Sequence, residues 1–281
     1  MGELRFTRGR LASAAAVLAL AGCVAPAAVS VSLPEADVVP VASLSPVATG
    51  SVAAVSAPSA PATPPELGDW RAGRGLSGID VSRYQPVVDW VGLARGGEQF
   101  VYVKATEGTG HRSPTHDDQR ANARAVGFVQ GAYHYARPAQ SSGTLQARFF
   151  HANGGAWSAD GQTLPGALDL EFAETGDPCH GLEPSAMTAW VREFSDEYRR
   201  LSGRIPVIYT KAEVWDTCTD AARGFGDHPL WLFDHADVPG RLPTGWERPT
   251  LWQRGIVDDL DRNVFFGTRD QFVVWASAPL R

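Results

Sequence analysis

From Gly78 to the C-terminus, short apolar runs alternate with segments of helical period, and this alternation limits the chain to a small set of folds. Each run is too short to bury a helix. The stretches between them are long enough to cross back over a sheet, which is the pattern of parallel strands joined by helices. The predicted strands are 78–81, 100–104, 128–135, 166–172, 206–209, 230–233 and 250–253, with a last one near 271–275. Eight such strands predict an α/β fold, an irregular TIM-like eight-stranded β/α barrel. The clearest helix carries Met187, Trp190, Val191, Phe194, Tyr198 and Leu201 at spacings of three and four, with Pro184 and Ser185 where it would start and Gly203 where it would stop. Two more helices are predicted over 115–126 and 143–151. After Pro206 the strands come faster, leaving less room for helices, and no internal repeat is present.

The 281 residues do not all belong to that pattern. Residues 24 to about 70 are nearly all Ala, Val, Pro, Ser and Thr, with no aromatic until Trp70. Such a composition cannot build a packed core and predicts a disordered tether. Ahead of it, Arg5, Arg8 and Arg10 precede the apolar run Leu11 to Ala21, too short for a comfortable membrane span and suited to an export signal. The signal ends in Leu20-Ala21-Gly22-Cys23, which resembles the lipobox of bacterial lipoproteins. That resemblance implies cleavage before Cys23 and lipid on its thiol; an ordinary secretory signal with an incidental cysteine is the alternative. The expected organisation is therefore a signal peptide at 1–22, a lipidated Cys23 with its tether to residue 70, and one barrel domain at 71–281. The expected location is the bacterial cell envelope, lipid-anchored to a membrane. Cys179 and Cys218 are the remaining cysteines. In an oxidising compartment they suggest a disulfide, with two buried thiols as the alternative. The net charge of -6 argues against a partner bound through phosphates, so nucleic acid is an unsuitable substrate.

In Gly166-Ala-Leu-Asp-Leu-Glu-Phe172 the acids alternate with bulky apolar residues. A strand through this segment would put Asp169 and Glu171 on one face, with alpha carbons about 7 Å apart. Two like charges on a mostly buried strand are costly unless something uses them, and their proximity would keep one protonated. Alone, such a pair is more often structural, its acids pairing with Lys or Arg or capping a helix. Other runs repeat the theme, however. Asp80 ends the first, and Lys104 with Glu107, then Tyr133 and His134, follow the next two. Polar groups at the C-terminal ends of several barrel strands would converge on one mouth.

The ordered blocks Gly-Ile-Asp-Val-Ser-x-Tyr-Gln from Gly78, Val-Lys-Ala-Thr-Glu-Gly from Val103, Gly-Ala-Tyr-His-Tyr-Ala-Arg-Pro from Gly131, Leu-Asp-Leu-Glu from Leu168, Ile-Tyr-Thr from Ile208, Leu-Trp-Gln from Leu251 and Leu-Asp-Arg-Asn-Val-Phe from Leu260 resemble the glycoside hydrolase family 25 lysozymes, the Chalaropsis-type N-acetylmuramidases. The resemblance implies an irregular eight-stranded barrel that hydrolyses the β-1,4 bond between N-acetylmuramic acid and N-acetylglucosamine in peptidoglycan. It implies retention, with the substrate's acetamido group as nucleophile. Glu171 is implied as the general acid and Asp169 as the partner of that acetamido group, while Asp80 and Asp261 match the family's acids on the first strand and near the end of the barrel. Asp258 or Asp259 could take the last role after a small shift. Leu230-Trp-Leu-Phe-Asp-His-Ala236 departs from the family's usual Leu-Trp-Ile-Ala-x-Tyr, which puts sugar contacts in question.

Flat rings pack on pyranose faces, so Tyr84, Tyr133, Tyr209, Trp231 and Trp252 are candidate groove residues, joined by Lys104, Glu107 and Gln253 from the same blocks. Trp190 and Phe194, on the helix stripe, are expected in the core. His134 and His235 lack any metal-ligand spacing, so His134 is expected to hydrogen-bond within the barrel and no metal or cofactor is expected. The expected partner is the glycan strand, met by a monomer. A surface protein that binds peptidoglycan without cutting it, or a hydrolase of a chitin-like polymer, are the rival readings.

Overall fold

The computed structural model describes residues 68–278. The signal peptide at 1–22, Cys23 and nearly all of the tether lie outside the described residues. Eight strands close a barrel. In chain order they are β1 (Leu76–Val81), β2 (Phe100–Glu107), β4 (Val129–Tyr135), β5 (Ala167–Asp169), β6 (Val207–Thr210), β7 (Leu230–Phe233), β8 (Leu251–Val257) and β9 (Leu260–Phe265). A two-residue strand, β3 (His111–Arg112), folds back on β2. Neighbours from β1 through β2 and on to β8 pair in parallel, whereas β9 runs antiparallel to both β8 and β1 and closes the ring.

The eighth strand is thus β9, and the predicted strand at 271–275 is a helix. Those residues lie in α6 (Arg269–Ser277), which begins with a capping box between Thr268 and Gln271. Phe272 and Trp275, three apart on that helix, pack against Phe265. The predicted strand at 166–172 is also shorter and ends at Asp169. The three predicted helices are present as α2 (His116–Ala125), α3 (Gly143–Phe150) and α4 (Pro184–Ser202), and two short ones join them, α1 (Trp90–Gly96) and α5 (Ala212–Thr219). On α4, Met187, Trp190, Val191, Phe194 and Tyr198 are all buried, Pro184 opens the helix, and Gly203 ends it at a φ of 69°. No long helix separates β7 from β8, and a tight hairpin joins β8 to β9, so the second half is irregular as expected.

A period of two, shifted where β2 and β8 bulge, sorts the side chains. Phe100, Tyr102, Val129, Ala167, Val207, Tyr209, Trp231, Leu251 and Phe265 form the packed barrel interior. Ile79, Val81, Val101 and Val103 pack outside it with Trp90, Ala123 and Phe128. Leu168, Ile208, Leu230, Leu232 and Trp252 pack outside with the helical layer. Two inward positions admit only glycine, because a Cβ on Gly78 would stand 2.5 Å from the Phe100 ring and one on Gly131 would stand 2.3 Å from that of Tyr102. Cys179 and Cys218 form a disulfide that ties the loop before α4 to α5. Closing a loop of 39 residues stabilises the fold by about 4 kcal/mol in the chain-entropy model.

Candidate active site

The inward-facing positions toward the C-terminal ends of the parallel strands, and at the N-terminal end of the antiparallel β9, open on one cavity of about 360 Å³. Asp80, Lys104, Glu107, Tyr133, Asp169, Glu171, Tyr209, Trp231, Gln253 and Asp261 all line it, and Tyr84 stands on its rim with 73% of its surface exposed. The structure therefore gathers every candidate residue but one. Trp252 does not reach the mouth. Its neighbours Leu251 and Gln253 point inward, so Trp252 must point outward. There it is 1% exposed, stacks on Phe266, and donates its indole N–H to the carbonyl of Asp234 at 2.7 Å. Nine lining residues lie outside the candidate set, among them Tyr135, Arg137, Phe233 and His235. The same parity would have found Tyr135 two places after Tyr133, and Phe233 and His235 two and four after Trp231.

Of Asp258, Asp259 and Asp261, it is Asp261 that lines this cavity. Asp80 and Asp261 are paired in register across β1 and β9. Asp258 and Asp259 form the β8–β9 turn, both in the left-handed region at φ 53° and 59°, which Asp tolerates better than most residues.

A buried relay fixes Asp80. The indole of Trp231 donates to Asn263 Oδ1 at 2.7 Å, and Asn263 Nδ2 donates to Asp80 Oδ2 at 2.8 Å. From the other side, the Tyr209 hydroxyl donates to Gln253 Oε1 at 2.9 Å, and Gln253 Nε2 donates to Asp80 Oδ2 at 2.9 Å. His235 Nε2 lies 3.1 Å from the same Gln253 oxygen. Burial, then the charge of Asp261, push the Asp80 carboxyl up to about 8, against the pull of these two amides. Burial also raises Asp261, which His235 partly offsets.

Across the mouth, Asp169 and Glu171 hydrogen-bond to each other. Burial and then the neighbouring Glu171 charge hold Asp169 well above the usual carboxylate range. Burial raises Glu171 too, while the bond from Asp169 and the cations Lys104 and Lys211 pull it down. A buried and a half-buried carboxyl, both pushed toward the neutral form, do not both ionise freely, so the pair keeps a proton. Asp169 Oδ1 is buried and has no hydrogen-bond partner among the described residues.

A cationic wall flanks the pair. Glu107 bridges Lys104 Nζ at 2.7 Å and Arg137 Nη2 at 2.6 Å, and both cations sit over the Tyr135 ring, at 4.6 and 4.7 Å from its centre. His134, behind this wall, is fully buried between Thr106 Oγ1 at 2.8 Å and Gln146 Oε1 at 2.9 Å. It belongs to the barrel wall, as its sequence context suggests. Among the described residues no group of three or more His, Cys, Asp or Glu side chains could hold a metal ion.

A protonated acid beside a second carboxyl, in a mouth lined by Tyr133, Tyr209 and Trp231, is the equipment of a glycosidase. Known proteins agree with that chemistry. The model of the glycosyl hydrolases family 25 matches residues 79–255. Over 206 residues the chain is 44% identical to an N,O-diacetylmuramidase of Arthroderma benhamiae, covering 72% of this chain and 87% of that protein. It is 38% identical to lysozyme M1 of Streptomyces globisporus, with 72% of each chain covered. Among solved structures, a bacterial lysozyme from Streptomyces coelicolor superposes with a TM-score of 0.71 at 38% identity, over 74% of this chain and 99% of the other.

Proposed function

The chain belongs to the glycosyl hydrolases of family 25, and from that membership we propose that it is a lysozyme cutting the β-1,4 bond between N-acetylmuramic acid and N-acetylglucosamine in peptidoglycan. The names of its relatives, muramidase and lysozyme, support the substrate. The observation that carries the chemistry is the Asp169–Glu171 pair, a buried and a half-buried carboxyl that share a proton, with one lone buried oxygen, Asp169 Oδ1, left over.

Glu171 is the general acid. Bound substrate offers its acetamido N–H to Asp169, which favours the ionised form of Asp169 and leaves the shared proton on Glu171. The acetamido oxygen then attacks C1 of the muramic acid residue as the C1–O bond to the leaving sugar breaks, and the leaving oxygen takes the Glu171 proton. An oxazolinium ring results, its N–H held by Asp169. Water adds to C1 while giving a proton to the Glu171 carboxylate, the ring opens, and the configuration at C1 is retained. Asp80 and Asp261 form the opposite acidic wall, and Tyr84, Lys104, Glu107, Tyr133, Tyr209, Trp231 and Gln253 are the proposed sugar contacts. Trp252, packed behind the sheet, is not among them.

Product analysis tests the proposal. Digested peptidoglycan should gain reducing ends on muramic acid in the β configuration first, and about a hundredfold or more slowly with the Glu171→Gln protein. Reducing ends on glucosamine, faster turnover of chitin oligosaccharides, or binding without turnover would each refute it. We further propose a monomeric catalytic domain at 71–281, exported by a signal at 1–22 and anchored through lipid on Cys23 by the tether at 23–70. A mass spectrum of the mature N-terminus tests the anchor, since an unmodified terminus elsewhere would refute it.

A further inference from the structure

Glu171 does not stand on a strand. The backbone is tied on both sides up to Leu170, where the Asp169 carbonyl accepts from Ala136 N at 2.9 Å and Leu170 N donates to the Tyr209 carbonyl at 2.9 Å. Beyond that point the ladder ends. The carbonyl of Glu171 leaves the sheet and accepts a hydrogen bond from His180 Nε2 at 3.0 Å. A carbonyl only accepts, so Nε2 carries the ring proton.

His180 reaches that carbonyl from a left-handed conformation, with a φ of 60°. For a residue with a Cβ this is uncommon and costs energy, and such outliers concentrate where surrounding structure enforces them for a purpose. The enforcement is visible. Asp177 Oδ1 accepts from the amides of Cys179 at 2.8 Å and Gly181 at 3.2 Å, and the Asp177 carbonyl accepts from His180 N at 3.0 Å. Cys179, next in the chain, is covalently fixed to Cys218 of α5. The turn is pinned by a carboxylate on one side and a disulfide on the other, and the ring between them points at the backbone of the acid.

We propose that His180 is a positioning residue for Glu171. Clamped by the Asp177 turn and the Cys179–Cys218 bridge, its ring fixes the Glu171 carbonyl beyond the end of the sheet ladder, and so sets where the carboxyl stands against the glycosidic oxygen. This rests on Glu171 being the general acid.

The test separates position from stability. Glycine relieves the left-handed strain at 180, and its own added unfolded-state entropy roughly cancels that relief. His180→Gly should therefore melt only a few degrees below the wild type, the loss left being that of one hydrogen bond. Its kcat on peptidoglycan should nonetheless fall by about tenfold to a hundredfold, the range for a small misplacement of a reacting group, with KM little changed. His180→Gln, whose amide N–H can occupy the place of Nε2, should recover most of the loss. On an aryl glycoside, whose leaving group needs little protonation, the His180→Gly defect should shrink. Wild-type kcat in His180→Gly, a loss carried wholly by KM, an equal loss in His180→Gln, or an undiminished defect on the aryl substrate would each overturn the proposal. Full peptidoglycan activity in Glu171→Gln would instead overturn the assignment of the acid itself.

Discussion

Asp80 and Asp261 face each other directly across β1 and β9, the antiparallel seam that closes the barrel. Like charges opposed in a ladder destabilise it. This pair is held only because Gln253 and Asn263 both donate to Asp80 Oδ2 and because Asp80 resists ionisation. The seam that completes the fold therefore carries an electrostatic conflict, as expected where a site is kept at the expense of stability.

That conflict has a pH signature. Asp80 holds its proton in the folded state up to about 8, whereas its ordinary value is 3.8. A raised folded value means that the stabilising contribution is complete below the unfolded value and is lost as pH rises through the folded one. Asp80→Asn cannot ionise and still offers an oxygen to both amides. Its melting temperature should rise relative to wild type as pH goes from 4 to 8, reaching a gain worth a few kcal/mol, while its activity falls. Melting curves of both proteins across that range check this, and a difference independent of pH would contradict it.

The acid and its neighbour should fail differently. Removing a general acid costs roughly a hundredfold to ten-thousandfold, so Glu171→Gln should lose that much on peptidoglycan yet regain much of it on an aryl glycoside with a good leaving group. Asp169→Asn should lose activity on both substrates, because the acetamido group still lacks its acceptor. Parallel kinetics on the two substrates distinguish the roles. Equal rescue of both variants would show that Asp169 does not serve the acetamido group.

Most of the fold could be read from the chain because barrel strands announce themselves twice, as apolar runs and as polar ends. The failures have physical causes. Residues 271–275 carry Phe, Val, Val and Trp, a strand-like composition, but the capping box at Thr268 and Gln271 commits them to a helix. The segment at 260–265 was legible as a matched block and not as a strand, since Asp261, Arg262 and Asn263 give it no apolar run. At the site, blocks located the acids, while the side of the sheet each aromatic faces depends on the parity of its strand. For Trp252 parity outweighs aromatic character.

Parity also predicts how two tryptophans respond to the same change. Trp252→Phe should lower the melting temperature, since a buried ring shrinks and the Asp234 carbonyl loses its donor, and kcat/KM should stay near wild type. Trp231→Phe removes the N–H that orients Asn263 toward Asp80, so kcat/KM should fall severalfold. A kinetic defect in Trp252→Phe as large as that of Trp231→Phe would mean that Trp252 reaches the glycan after all.

Lys211 sits at the N-cap of α5, where the helix dipole disfavours a cation. Its ammonium lies over the rings of Phe172 and Phe233, 5.8 and 5.4 Å from their centres. It faces Glu171, whose other charged neighbours are Asp169, Lys104 and Glu174. A nearby cation stabilises the carboxylate, so removing it makes Glu171 hold its proton to higher pH. The acid works only when protonated. Lys211→Met should therefore move the alkaline limb of the kcat/KM profile upward, by about half a pH unit for a partly solvated pair. The shift should shrink in high salt. The same change relieves the N-terminus of α5 and should stabilise the protein by about 0.3–1 kcal/mol. Lys211→Arg should restore both the profile and the lower stability. A limb that stays in place in Lys211→Met, measured alongside its melting curve, would mean that the ammonium does not act on Glu171.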